Sequence, residues 1–190
     1  KLSDVFYGLQ IQLITYMDAL WNQDDGPGRF PGGILYFHQD DPVIKAAGRM
    51  TDEQLEQALK KTFRMKGLLL ADVKLIREMD NTIDGTSMII PARINKGDVL
   101  GRSSAASLEQ FRMLRKYVQR LLKGICEEIM KGQVPIRPYR KRGITSCKYC
   151  SYSPVCQFDA AMKGNSFRML YDREDDEVWK LIGQGGETCE

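Results

Sequence analysis

Three cysteines fall within ten residues, Cys147-Lys-Tyr-Cys150-Ser-Tyr-Ser-Pro-Val-Cys156, and this spacing restricts the folding of the chain more tightly than any other feature. The C-x2-C pair sets two thiolates on one tight turn facing a common point, and a third thiolate after five intervening residues can close on the same point. Three thiolates leave one position of a four-ligand site to be filled. Cys126, twenty-one residues before Cys147, is the internal candidate. Its place beside Ile125 on an apolar helix face suggests a small buried side chain instead, with the fourth ligand supplied from outside these residues. Zinc and an iron–sulfur cluster both suit such ligands. Cys189, one residue from the end, plays no part in this reading. Clustered cysteines without a secretion signal favour metal over disulfides and a cytoplasmic setting.

The 190 residues suffice to bury a core without such a site. No run of about 18 apolar residues is present, so no membrane-spanning helix is expected. Lys1-Leu2-Ser3-Asp4-Val5 does not resemble a signal peptide, and the absence of an initiator Met makes the chain read as an excised piece of a longer one. The net charge of +3 is too small to point to a polyanionic partner by itself. The distribution is more informative: Arg137, Arg140, Lys141 and Arg142 form a basic run, and Asp172 to Glu177 is acidic. The basic run is equally consistent with a solvated surface and with contacts to backbone phosphates.

Periodicity predicts a helix from Ser3, as N-cap, to about Trp21, with Val5, Leu9, Gln12, Tyr16 and Leu20 on one stripe and Phe6, Leu13 and Met17 beside it. Residues 24–28 read as a loop, and Ile34 to His38 as a short buried strand. A helix is expected from Thr51 to about Lys66, ended by Gly67, and a shorter one over 72–79. Residues 82–104 read as an irregular hairpin. Ser107 with Gln110 forms a capping-box pattern and opens the longest helix, with Leu108, Phe111, Leu114, Val118, Leu121, Ile125 and Ile129 along its apolar face and Gly132 after its last turn. The expected division is one domain over residues 1–163 and a polar, acidic, flexible tail over 164–190.

Gln12 and Tyr16 stand one helical turn apart. The stretch Gly8 to Asp18 resembles the Q-x-x-x-Y helix of RecB-like nucleases of the PD-(D/E)xK superfamily, and Gly33 to His38 is similar to the strand that follows that helix in the helicase–nuclease members of the family. Cys147, Cys150 and Cys156 are similar to the closely spaced cysteines at the end of the same domain. The resemblance implies an α/β fold, the C-terminal part of a restriction-endonuclease-like core with helical additions and a cysteine-cluster segment. It implies that Gln12 and Tyr16 position the scissile strand as accessory catalytic residues. It also implies that the three cysteines hold a 4Fe-4S cluster with one upstream cysteine, and that Mg2+ is held by carboxylates of the parent nuclease.

The resemblance further implies a companion A subunit, AddA, and single-stranded DNA produced by unwinding as partners. The parent would carry out exonucleolytic processing of DNA ends for double-strand-break repair. The chain departs from the family pattern at one point. The upstream Asp and the Asp-x-Lys motif have no counterpart before Gln12, and Asp4 and Asp18 do not match the metal-ligand positions. These 190 residues alone are therefore expected to be inactive and to hold no intact cluster. The alternative is a non-catalytic iron–sulfur or zinc module that binds DNA or a protein.

Overall fold

A computed structural model describes residues 1–22, 29–39, 41–46 and 48–185. The loop expected at 24–28 lies outside the described residues. The elements run α1 (Leu2–Phe6), α2 (Gln12–Trp21), β1 (Gly33–Tyr36), α3 (Asp52–Phe63), β2 (Lys66–Leu70), α4 (Val73–Met79), β3 (Gly85–Thr86), β4 (Arg93–Asn95), β5 (Val99–Leu100), β6 (Ala105–Ala106) and α5 (Leu108–Met130). They continue with β7 (Tyr139–Lys141), β8 (Ile144–Thr145), a 3-10 turn (Ser146–Tyr149), α6 (Ser153–Cys156), β9 (Arg168–Leu170) and α7 (Asp175–Gly183). The class is α/β, and among the described residues the strands form three small three-stranded sheets. None of the described helices is long and apolar enough to cross a membrane.

The chain divides into two compact units, residues 13–112 and residues 1–12 with 113–190. In the first, β2 is the middle strand of a sheet, antiparallel to β1 and parallel to β6. Its core gathers Leu69, Ile76, Ile83, Ile90, Ala92 and Ile94. Thr51 caps α3 through a capping box with Gln54, and Asp72 caps α4 through the amides of Lys74 and Leu75. The stretch read as a hairpin is the meander β3-β4-β5. Gly67 does not end a helix. It lies within β2 at φ +152°, where a Cβ would stand 2.0 Å from the Ile34 carbonyl oxygen of β1, so only glycine permits the two strands to approach this closely.

In the second unit β7 is the middle strand, antiparallel to β8 and parallel to β9. Val5, Phe6, Leu114, Tyr117, Val118, Leu170, Val178 and Ile182 are buried there. The segment expected as a flexible tail from residue 164 therefore supplies a strand, a helix and three core side chains. The second half of its acidic run is the first turn of α7, where Asp175, Asp176 and Glu177 complement the helix dipole.

The helix expected over 3–21 is two helices. Gly8 adopts φ +78° and terminates α1, and Ser3 is a buried residue within α1 rather than its cap. The break re-phases the stripe. In α2 Ile14 and Met17 are buried, whereas Tyr16 and Leu20 are exposed. Ser107 and Gln110 cap α5 as expected, with both bonds of the box present. Its apolar face is buried only as far as Val118, and Ile125 and Ile129 are exposed.

Candidate functional site

Gln12 is the first residue of α2, and Tyr16 follows one turn later; both side chains are exposed. The spacing that marked this pair survives because the helix begins, rather than ends, at Gln12. Tyr16 lines a cleft of about 490 Å3 between α2 and β1. Trp21, Arg29 and Phe30 share the cleft with Leu13 and Ile34. The aromatic and cationic members could not be assembled from sequence, because Arg29 and Phe30 are read there only as residues after a loop. A phenol, an indole and a guanidinium around an apolar floor suit a nucleotide: rings offer stacking surface, and the guanidinium offers bidentate bonds to phosphate.

Asp18, on the same helix, accepts a bond from Asn22 at 3.3 Å. Asp4 is committed in the other unit. The Lys141 ammonium lies between Asp4 and Asp172, bonded to the Asp4 carboxylate and 3.3 Å from Asp172. It also donates to the Ser3 hydroxyl at 3.3 Å. Burial pulls the Lys141 ammonium down, but the bonds to Asp4 and Asp172 and their charges outweigh it and hold its pKa above the usual lysine value. Partial desolvation pushes Asp172 up, and its bonds to Lys141 and Arg142 outweigh this and hold it below the usual carboxylate range.

The basic run is thus divided. Lys141 and Arg142 are neutralised in place by carboxylates. The Arg140 guanidinium lies 3.9 Å from the centroid of the Phe167 ring. Arg137 is exposed on the loop after α5. Of the four, Arg137 and Arg140 have charge left to offer to a phosphate.

Cys147 sits in the 3-10 turn, Cys150 follows it and donates its amide to the Cys147 carbonyl at 3.2 Å, and Cys156 ends α6. All three are free thiols; Cys150 and Cys156 are exposed. Their chemistry suits a soft metal, but among the described residues no three His, Cys, Asp or Glu side chains converge closely enough to hold a metal ion. The arrangement as it stands is not a formed metal site. Cys126 is exposed on α5, not buried as its apolar neighbours suggested, because the helix face it shares with Ile125 and Ile129 is uncovered.

The chain belongs to the PD-(D/E)XK nuclease superfamily, whose pattern matches residues 1–157 and so takes in both the α2–β1 region and the cysteine segment. Among individual proteins, it is similar to the B subunit of the ATP-dependent helicase/deoxyribonuclease of Acetivibrio thermocellus, with 64% identity over 98% of this chain and 17% of the relative. It is 63% identical to the protein of the same name from Ruminiclostridium cellulolyticum, over 97% of this chain and 16% of that one. The namesake from Clostridium novyi is 46% identical over 98% of this chain and 17% of its own length. The chain thus spans about a sixth of the curated relatives it matches.

Proposed function

We propose that this chain is part of the nuclease domain of an ATP-dependent helicase/deoxyribonuclease B subunit, acting with a companion A subunit of the AddA type on DNA ends. The observation that carries this function is the superfamily match over residues 1–157, which takes in both the Gln12/Tyr16 helix and the cysteine segment. Within that function Gln12 and Tyr16 bind and orient the strand to be cut, and the cleft beside Tyr16 receives the adjoining nucleotide. Mg2+ would supply activation of water and stabilisation of charge on the phosphate. The described carboxylates gather into no metal-binding group, and none of them is assigned to the ligation of Mg2+.

Cys147, Cys150 and Cys156 would hold a 4Fe-4S cluster completed by a cysteine elsewhere in the longer polypeptide. The support for this is the ligand spacing and the exposure of two of the thiols on a short turn-rich segment, not a preformed pocket. The cluster would hold the end of the domain to a distant part of the chain.

The test uses the full-length protein in its complex, with linear DNA, ATP and Mg2+. Gln12→Ala and Tyr16→Ala are each expected to reduce cleavage at least tenfold while unwinding persists, since small misplacement of a reacting strand is costly in rate. Equal loss of unwinding and cleavage would show that these residues serve the fold, and unchanged cleavage would remove them from the site.

A further inference from the structure

From Gln110 to Cys126 the chain carries five cations, Arg112, Arg115, Lys116, Arg120 and Lys123, and no carboxylate. All of this stretch is within α5. Helical spacing puts Lys116, Arg120 and Lys123 on one face, at i, i+4 and i+7, over about 10 Å of helix axis. Together with Gln119 they line a concave surface of the unit formed by residues 1–12 and 113–190.

Like charges at i, i+4 and i, i+3 repel, and a solvated helix face ordinarily intersperses acids to offset this; α3, with Glu56 paired to Lys60 at 2.7 Å, does so. Here the sole ion pair of the stripe among the described residues is Lys123 with Glu127, at 3.9 Å between two largely exposed side chains, which is worth little. No carboxylate among the described residues pairs with Lys116 or Arg120. Arg120 is instead oriented by a bond from Nη1 to the Gly185 carbonyl at 3.1 Å. Among the described residues the stripe is therefore a set of cations on one helix with little counter-charge, and Gln119 stands between Lys116 and Arg120 in sequence.

We infer that Lys116, Arg120 and Lys123, with Gln119, form a track for the phosphodiester backbone of single-stranded DNA, separate from the Gln12/Tyr16 pair and from the basic run at 137–142. The inference rests on the proposed nuclease function for the identity of the polyanion. The contact is with phosphates and not bases, because this lining is dominated by three cations and carries no stacking ring. Its role is to hold the strand irrespective of sequence.

The test measures binding of a labelled oligothymidylate to the full-length protein in its complex, over a range of potassium chloride concentrations. The variants are the triple Lys116→Gln/Arg120→Gln/Lys123→Gln and the charge-conserving pair Lys116→Arg/Lys123→Arg. Each phosphate contact on a single strand contributes about 0.7 to the slope of log affinity against log salt. The triple variant is expected to lose about 2 from that slope and to bind at least tenfold more weakly at low salt, with the conservative pair unchanged. A triple variant with the wild-type slope and affinity overturns the proposal. So does a triple variant that fails to assemble with the companion protein, which would give the stripe to a protein partner. Salt-independent or absent binding by the wild type would remove the nuclease function itself, and the track with it.

Discussion

Tyr117 of α5 donates its phenolic proton to the main-chain carbonyl of Phe6 at 2.6 Å, joining two residues 111 positions apart. The two rings also stack, with centroids 5.7 Å apart and planes 10° from parallel. The hydroxyl and the ring can be separated by mutation. Tyr117→Phe keeps the stack and strands the carbonyl, and is expected to cost about 1–2 kcal/mol of stability. Tyr117→Leu removes both and is expected to cost about 1 kcal/mol more, the worth of an aromatic pair. Denaturant titration of the protein distinguishes the two; equal losses would mean that the ring stack adds nothing beyond the hydrogen bond.

Asp80 anchors the other unit. Its carboxylate accepts from the Ser87 hydroxyl at 2.7 Å and from the Thr82 hydroxyl at 2.8 Å. Ser87 Oγ in turn accepts the amides of Ile89 and Ile90, each at 3.0 Å. Burial pushes the Asp80 carboxyl up, and the bonds from Ser87 and Thr82 outweigh it, so its pKa lies below the usual range. A carboxylate so held contributes stability above about pH 4, lost as the pH falls through its folded value. Ser87→Ala is expected to destabilise by about 2 kcal/mol, since it leaves a buried carboxylate and two amides short of partners. It is also expected to flatten the fall of stability between about pH 5 and pH 2, which thermal melts across that range would show. An unchanged acid profile would assign the loss to packing.

Much of this was readable where the cause is local. Ser107 with Gln110 is a cap spanning three residues, and α5 begins where it directs; α3 likewise begins after Thr51, as its sequence suggests. Gln12 and Tyr16 share a face by spacing alone. What could not be read depends on distant residues. Gly67 in the sequence is a helix stop; only the Ile34 carbonyl across the sheet shows it to be a strand position. The charges of Lys141 and Arg142 look available until Asp4 and Asp172 are brought beside them. Leu170, Val178 and Ile182 are core residues in a segment whose acidic composition suggested a tail, because three buried positions suffice to dock a strand and a helix. On α5 the periodic apolar stripe concealed the opposite: its last two turns carry Ile125 and Ile129 into solvent.

Lys141 gives a prediction at both ends of the pH scale. Its pKa is raised, so its stabilisation is complete below about pH 10 and is lost as the pH rises through the folded value. Asp172 is lowered, so its share is present above about pH 4 and is lost as the pH falls. Lys141→Met is expected to cost about 2 kcal/mol at neutral pH, the worth of hydrogen bonds to a charged group. Its deficit against wild type should shrink above about pH 10 and below about pH 4. A deficit constant across the whole range would mean that the methylene chain of Lys141, not its charge, supports the fold.

Residues 1–190 by themselves are expected not to cleave DNA. A hard divalent cation needs several oxygen ligands in a fixed arrangement; Asp4 is held by Lys141, and the described carboxylates gather into no group of three that could hold a metal ion. Incubation of the purified segment with Mg2+ and linear single-stranded DNA should leave the DNA intact. Degradation that follows the protein through repurification and disappears with Tyr16→Ala would show that a complete site is present within these residues.

The last expectation concerns iron. In the proposed cluster, Cys147, Cys150 and Cys156 each contribute a thiolate to a 4Fe-4S centre in the full-length protein, and Cys126 contributes none. Exposure no longer argues against Cys126, since its thiol is open to solvent. Its position does, because it is held within the 23-residue helix α5 and stands twenty-one residues before Cys147, outside the C-x2-C-x5-C spacing. The three nearby cysteines lie on a 3-10 turn, a short loop and a four-residue helix, elements with few long-range bonds to break if the thiols are to converge. Anaerobically purified full-length protein should therefore contain about four irons and absorb in the visible blue. Cys150→Ser should lose both the iron and the colour, and Cys126→Ser should keep them. Stoichiometric zinc in a colourless protein would replace the cluster with a zinc site, and loss of iron in Cys126→Ser would make that residue the fourth ligand.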